Sequence, residues 1–142
     1  MKARKVVDVS RQLRFEFESE LINAKTHPEI KKQSKSEKSE LDLSRMLAPH
    51  PENTYLVRVT GESMIGKNIF DGDILVVDRS EKPSSGKIVI ASLNGELTVK
   101  TYVEKDGEVL LVSANKKFVT RKIEDYIEFQ IQGVVKYVIH DL

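Results

Sequence analysis

The sequence predicts a mainly β protein: a compact, curved β domain over residues 41–142, preceded by an extended N-terminal arm. Three observations predict it. Short apolar stretches recur from Tyr55 to the C-terminus. Turn signals separate them, at Asp71-Gly72-Asp73, Asn94-Gly95 and Asp106-Gly107. Upstream, Lys31 to Glu40 is polar throughout and has nothing to bury against a core.

Residues 1–30 read as an arm, too short to form an independent domain. Val6 to Val9 is a short strand candidate. Leu13, Phe15 and Phe17 alternate with charged residues, which predicts an extended segment whose apolar edge helps dock the arm. Leu21 to Ala24 adds a small apolar patch. Residues 31–40 form a linker; glutamates dilute its lysines, so a solvated spacer is favoured over a DNA contact. Leu41 to Leu47 predicts a short helix with Leu41, Leu43, Met46 and Leu47 on one face, stopped by Pro49. His50 to Asn53 is a turn.

From Tyr55 the pattern is β. Tyr55 to Thr60 runs into Gly61. Ile74 to Val77 is continuously apolar and predicts a buried strand. Lys87 to Ser92 and Glu96 to Tyr102 flank Asn94-Gly95, a strong hairpin signal because both residues tolerate positive φ. A two-residue loop there sets Leu93 against Glu96 and Val89 against Lys100. Lys100 then shares a sheet face with Thr98 and Tyr102, while Leu97 and Val99 point the other way. Glu108 to Val112 follows Asp106-Gly107, and Ser113 to Arg121 reads as loop. Ile127, Phe129 and Ile131 alternate, and Val134 to Ile139 form a last strand set off by Gly133.

Bulk properties narrow the function classes. The chain has 142 residues, 39% hydrophobic and 32% charged, which fits one soluble domain plus a tail. A net charge of +1 gives no argument for nucleic-acid binding. The absence of cysteine excludes disulfides and thiolate-bound metal, and is compatible with a reducing cytoplasm. His27, His50 and His140 lack metal-ligand spacing and read as surface or loop residues. No apolar run reaches the roughly 18 residues needed to span a bilayer. The charged N-terminus lacks the apolar core of a secretory signal.

The chemistry concentrates in Gly61-Glu62-Ser63-Met64. A serine just after a glycine at a strand end can present its hydroxyl, with nearby backbone N–H groups aimed at a developing oxyanion. Its hydroxyl is a poor nucleophile unless a base takes the proton. No histidine is close in sequence, so Lys100 is the candidate base. A lysine acts as base only where its site removes water and lowers its pKa. Lys100 sits in a largely uncharged strand, opposite Val89 and beside Ala91, with no evident carboxylate across from it. The plainer readings are a turn serine and a solvated strand lysine, and the second is favoured on pattern alone. Asp71 and Asp73 read as turn carboxylates that bond backbone, rather than as a metal pair.

Several segments together resemble the LexA/UmuD family of Ser–Lys autoproteases of the bacterial DNA-damage response. They are Asp42-Leu43-Ser44, His50-Pro51, Thr54-Tyr55, Gly61-Glu62-Ser63-Met64, Asp71-Gly72-Asp73, Lys87 to Ala91, Glu96 to Lys100 and Gly133-Val134-Val135. The resemblance covers residues 41–142 and reverses the order of the two lysine readings. No helix-turn-helix domain precedes the linker, so the UmuD branch is the nearer one, without sequence-specific DNA binding.

The resemblance implies a β domain of the LexA/UmuD C-terminal type. It implies Ser63 as nucleophile, Lys100 as general base and the backbone N–H groups of Glu62 and Ser63 as oxyanion hole, with no cofactor. The implied substrate is a peptide bond in the chain's own arm. Alignment with the family segment puts it at Ala24-Lys25, where Lys25 stands in place of the family's glycine. Implied partners are a second copy in a homodimer, the RecA–single-stranded-DNA filament and a UmuC-type translesion polymerase. Two other classes compete: an uncleaved dimeric binding module on the same fold, and a signal-peptidase-like enzyme, which the lack of an apolar span disfavours.

Overall fold

A computed structural model describes residues 1–8, 42–126 and 128–142. The predicted cleavage bond Ala24-Lys25, the linker, Phe15, Phe17, His27 and Ile127 lie outside these residues.

Among the described residues eight strands form one antiparallel sheet: β1 (Lys2–Asp8), β2 (Thr54–Thr60), β3 (Ile74–Asp78), β4 (Ile88–Leu93), β5 (Glu96–Lys105), β6 (Glu108–Val112), β7 (Arg121–Lys122) and β8 (Phe129–Ile139). Their spatial order is β1-β2-β3-β8-β4-β5-β6-β7, and β1 also pairs with β5. The sheet therefore curls until β1 bridges β2 and β5. Among the described residues one α-helix, α1 (Leu43–Leu47), is capped by Asp42, whose carboxylate accepts from the N–H groups of Ser44 and Arg45. Its expected apolar face stays largely outside the core, with Leu43 and Met46 exposed.

Alternation builds the core. Along β2, Tyr55, Val57 and Val59 are buried while Arg58 and Thr60 are exposed. They pack with Met64, Leu75, Val77, Ile90 and Val99 in the main cluster. Val89, Ala91, Tyr102, Leu111 and Val134 form a second cluster. Strand β4 thus places Val89 and Ala91 in one cluster and Ile90 in the other. That is why it reads as a continuous apolar run.

The β4–β5 hairpin has the predicted loop, with Asn94 and Gly95 at φ 49° and 82°. Leu93 pairs with Glu96 and Val89 with Lys100. At the other end, β8 differs from expectation. It runs unbroken through Gly133, between β3 and β4. A Cβ at Gly133 would lie 2.6 Å from Val77 Cγ1 and 2.8 Å from the Asp78 carbonyl oxygen. The glycine permits a close backbone approach to the end of β3 and does not end the strand.

Strand β1 begins earlier than the Val6 to Val9 segment suggested. Lys2 pairs with both Thr60 and Thr98, and Ala3 pairs with Val59. The side chain of Met1 is buried in the main core cluster.

Candidate active site

Three backbone arrangements position Ser63. Strand β2 ends at Thr60, and Gly61 turns the chain at φ 101°, a conformation that favours glycine. The Asp71 carboxylate accepts the Gly61 N–H at 2.8 Å. Val59 and the Asp71-Gly72-Asp73 turn exchange two further bonds: Val59 N–H to the Asp73 carbonyl and Gly72 N–H to the Val59 carbonyl. The aspartates of this turn thus act on backbone, as expected. Buried Asp73 also accepts the Phe70 N–H at 2.8 Å and meets His140 Nδ1 at 2.6 Å. His140 therefore ties the end of the chain to this turn. Past Ser63, buried Met64 caps a short 3-10 turn over Ile65–Lys67, accepting the N–H groups of Lys67 and Ile69.

Ser63 is fully buried. Lys100 Nζ lies 3.4 Å from its Oγ. The structure thus brings together two residues 37 positions apart, one in the turn after β2 and one in mid-strand β5. Burial pushes the Lys100 amine below its ordinary value, against an upward effect from its hydrogen bond to the terminal amine. A neutral amine at this position can accept the Ser63 proton. The 3.4 Å approach is longer than the about 2.6–3.2 Å of an engaged acid–base pair and has to tighten for proton transfer.

A second amine shares the site. The α-amino nitrogen of Met1 lies 2.5 Å from Ser63 Oγ. Burial first, then Lys100, pulls it down to about 6. The Met1 carbonyl accepts the Val99 N–H at 3.1 Å and the Thr98 hydroxyl at 2.7 Å. An extended backbone thus lies between β2 and β5, with an amine nitrogen against the serine. In peptide hydrolysis that nitrogen stands where the leaving amine would be. The chain's own β1 fills this groove by strand addition.

A model of the peptidase S24-like family matches residues 21–136. The chain belongs to this family. It is similar to protein ImpA of Salmonella typhimurium, 43% identical over 102 residues, covering 71% of this chain and 68% of that protein. Protein MucA of the same organism is 42% identical over 102 residues, covering 71% of this chain and 69% of that protein. A LexA repressor from Cupriavidus taiwanensis is 39% identical over 80 residues, covering 56% of this chain and 37% of that protein. The LexA/UmuD resemblance carried by the motifs and the S24-like membership agree, and they make this a chain of a serine-peptidase family.

Glu62 lies beside Ser63 in the turn, exposed, and its carbonyl accepts the Asn115 side-chain N–H at 3.0 Å. Asn115 was not singled out in the sequence, since it lies in the polar stretch after β6 and its partner is a backbone carbonyl 53 residues away. Its Asn-Lys-Lys context signals a turn only. Among the described residues no group of three or more His, Asp or Glu side chains could hold a metal ion. Among them, too, no helix is long and apolar enough to cross a membrane.

Proposed function

We propose that the protein is a self-cleaving Ser–Lys peptidase of the SOS response, cutting its own N-terminal arm at Ala24-Lys25. The observation that supports this reading best is the approach of Lys100 Nζ to Ser63 Oγ at 3.4 Å, at a buried serine. In this mechanism the neutral Lys100 amine takes the Ser63 proton as Oγ attacks the Ala24 carbonyl carbon. The N–H groups of Glu62 and Ser63 receive the oxyanion. Collapse breaks the Ala24–Lys25 bond, and Lys100 returns the proton to the leaving nitrogen of Lys25. Water, deprotonated in turn by Lys100, hydrolyses the Ala24 ester and frees Ser63.

The arm is tethered to its own enzyme. A high effective concentration compensates for a base without a third orienting residue. The cleavage segment and β1 compete for the same groove, so β1 has to leave before Ala24 can enter. Stimulation by the RecA–single-stranded-DNA filament acts on this exchange. The trimmed chain works as a homodimer with a UmuC-type translesion polymerase, in the cytoplasm. The domain limits follow: arm 1–30, linker 31–40, peptidase domain 41–142.

Self-cleavage of purified protein is expected to accelerate from neutral pH toward pH 10, and to be lost in Ser63→Ala and Lys100→Ala. Fragmentation at the same bond in either variant refutes the assignment. The occupied groove favours one other reading, an uncleaved dimeric polymerase accessory. Mass spectrometry after incubation with RecA, an ATP analogue and single-stranded DNA separates the two. An intact 16.2 kDa chain, under conditions that process a cleavable family member, supports the accessory.

A further inference from the structure

We propose that Asn115 is a positioning residue that holds the Glu62–Ser63 peptide with its N–H turned toward the oxyanion. The inference rests on the Ser–Lys peptidase reading of this site. A peptide unit is planar, so the Glu62 carbonyl and the Ser63 N–H point in opposite directions from one rigid plate. Whatever grips the carbonyl also aims the N–H. Two donors reach the Glu62 carbonyl: Asn115 Nδ2 at 3.0 Å and the Ile65 N–H at 3.4 Å. The second is a long contact at the edge of hydrogen-bonding range. Asn115 therefore supplies the stronger restraint. Without it the plate can rotate, turning the N–H away and presenting a carbonyl oxygen to the oxyanion.

Asn115 is itself held. Its Oδ1 accepts the Lys117 N–H at 3.1 Å, which assigns the amide orientation and leaves Nδ2 as the end that faces Glu62. Its own carbonyl accepts the Phe118 N–H at 3.0 Å. The loop is also anchored to the serine turn one residue earlier, where the Ala114 carbonyl accepts the Gly66 N–H at 2.7 Å. A Cβ at Gly66 would lie 2.5 Å from that carbonyl oxygen, so glycine is required for the approach. The β5–β6 hairpin explains the placement. β5 carries Lys100, and Thr101 pairs with Val112 at the end of β6, three residues before Asn115. One hairpin thus carries the base and leads into the loop that supports the serine turn.

The test compares the full chain with Asn115→Ala and Asn115→Asp. The aspartate keeps the acceptor for Lys117 but replaces the side-chain donor to the Glu62 carbonyl with an acceptor. Three quantities are read: the plateau rate of alkaline self-cleavage, its pH midpoint, and the rate at which diisopropyl fluorophosphate labels Ser63, whose phosphoryl oxygen needs the same N–H donors. The plateau and the labelling rate are expected to fall about 10- to 100-fold in both variants, somewhat less than removal of an oxyanion donor outright. The Asn115→Ala midpoint and both melting temperatures are expected to stay within error. Rates within twofold of the parent, or a loss matched by a shifted Asn115→Ala midpoint or by lower melting of both variants, would overturn the proposal. If the parent is labelled but never cleaves itself, self-cleavage fails while the labelling ratio still decides the role of Asn115. A parent that is not labelled at all overturns both.

Discussion

At the scale of single residues, the account turns on one desolvated amine. Lys100 is held below its ordinary value chiefly by burial. Its unfolded-state value is higher, so the unfolded chain binds more protons over the interval between the two. Stability therefore rises with pH across that interval, and the cost of an ammonium in the site is fully present below it. Lys100→Met, close in length and uncharged, is expected to abolish cleavage while raising the melting temperature at neutral pH. The gain should shrink as pH approaches 10. Thermal melts of the Ser63→Ala and Ser63→Ala/Lys100→Met pair over pH 6–10 check this without interference from cleavage. A double variant that melts lower throughout would mean that Lys100 is not under desolvation strain. Gly133 makes an independent case. A methyl there meets Val77 and the Asp78 backbone at under 3 Å. Gly133→Ala is expected to cost about 1–3 kcal/mol, read from chemical denaturation.

Among the elements, the β4–β5 hairpin was legible, while of β1 only the end at Val6 to Asp8 was. Asn94-Gly95 fixes its turn through local backbone preference, and the register follows by counting, which is why the Val89–Lys100 pairing could be read without coordinates. Gly133 carried the same residue signal with a different cause, a close approach of β8 to the end of β3, and such contacts between strands distant in sequence leave no mark in local sequence. The helix was placed correctly by its stop signal, but its apolar face does not join the core. Lys2 to Asp8 has little periodicity; its strand state comes from two partner edges far away in sequence. Asn115 was invisible for a similar reason. Strand β1 also makes a prediction. Its Met1 backbone occupies the position beside Ser63. Deleting residues 1–8 is expected to speed alkaline self-cleavage several-fold and to lower the melting temperature. An unchanged or slower rate, at a temperature where the shortened chain is folded, would show that β1 does not compete with the cleavage segment.

For the molecule as a whole, the curled sheet works as a frame for a groove. Strand β2 leads into the serine turn, β5 carries the lysine, and the gap between them accepts an extended chain. The Asp71-Gly72-Asp73 turn, His140 and the loop at Asn115 brace the serine turn from outside. A frame of this kind can cut a tethered segment once without the speed of a digestive protease. The measurement that tests this most directly is the N-terminal residue of the large fragment formed on incubation near pH 10, read for the parent and for Ser63→Ala side by side. The account predicts a new terminus at Lys25 in the parent and an intact Ser63→Ala chain. An intact parent, or the same new terminus in Ser63→Ala, would contradict it.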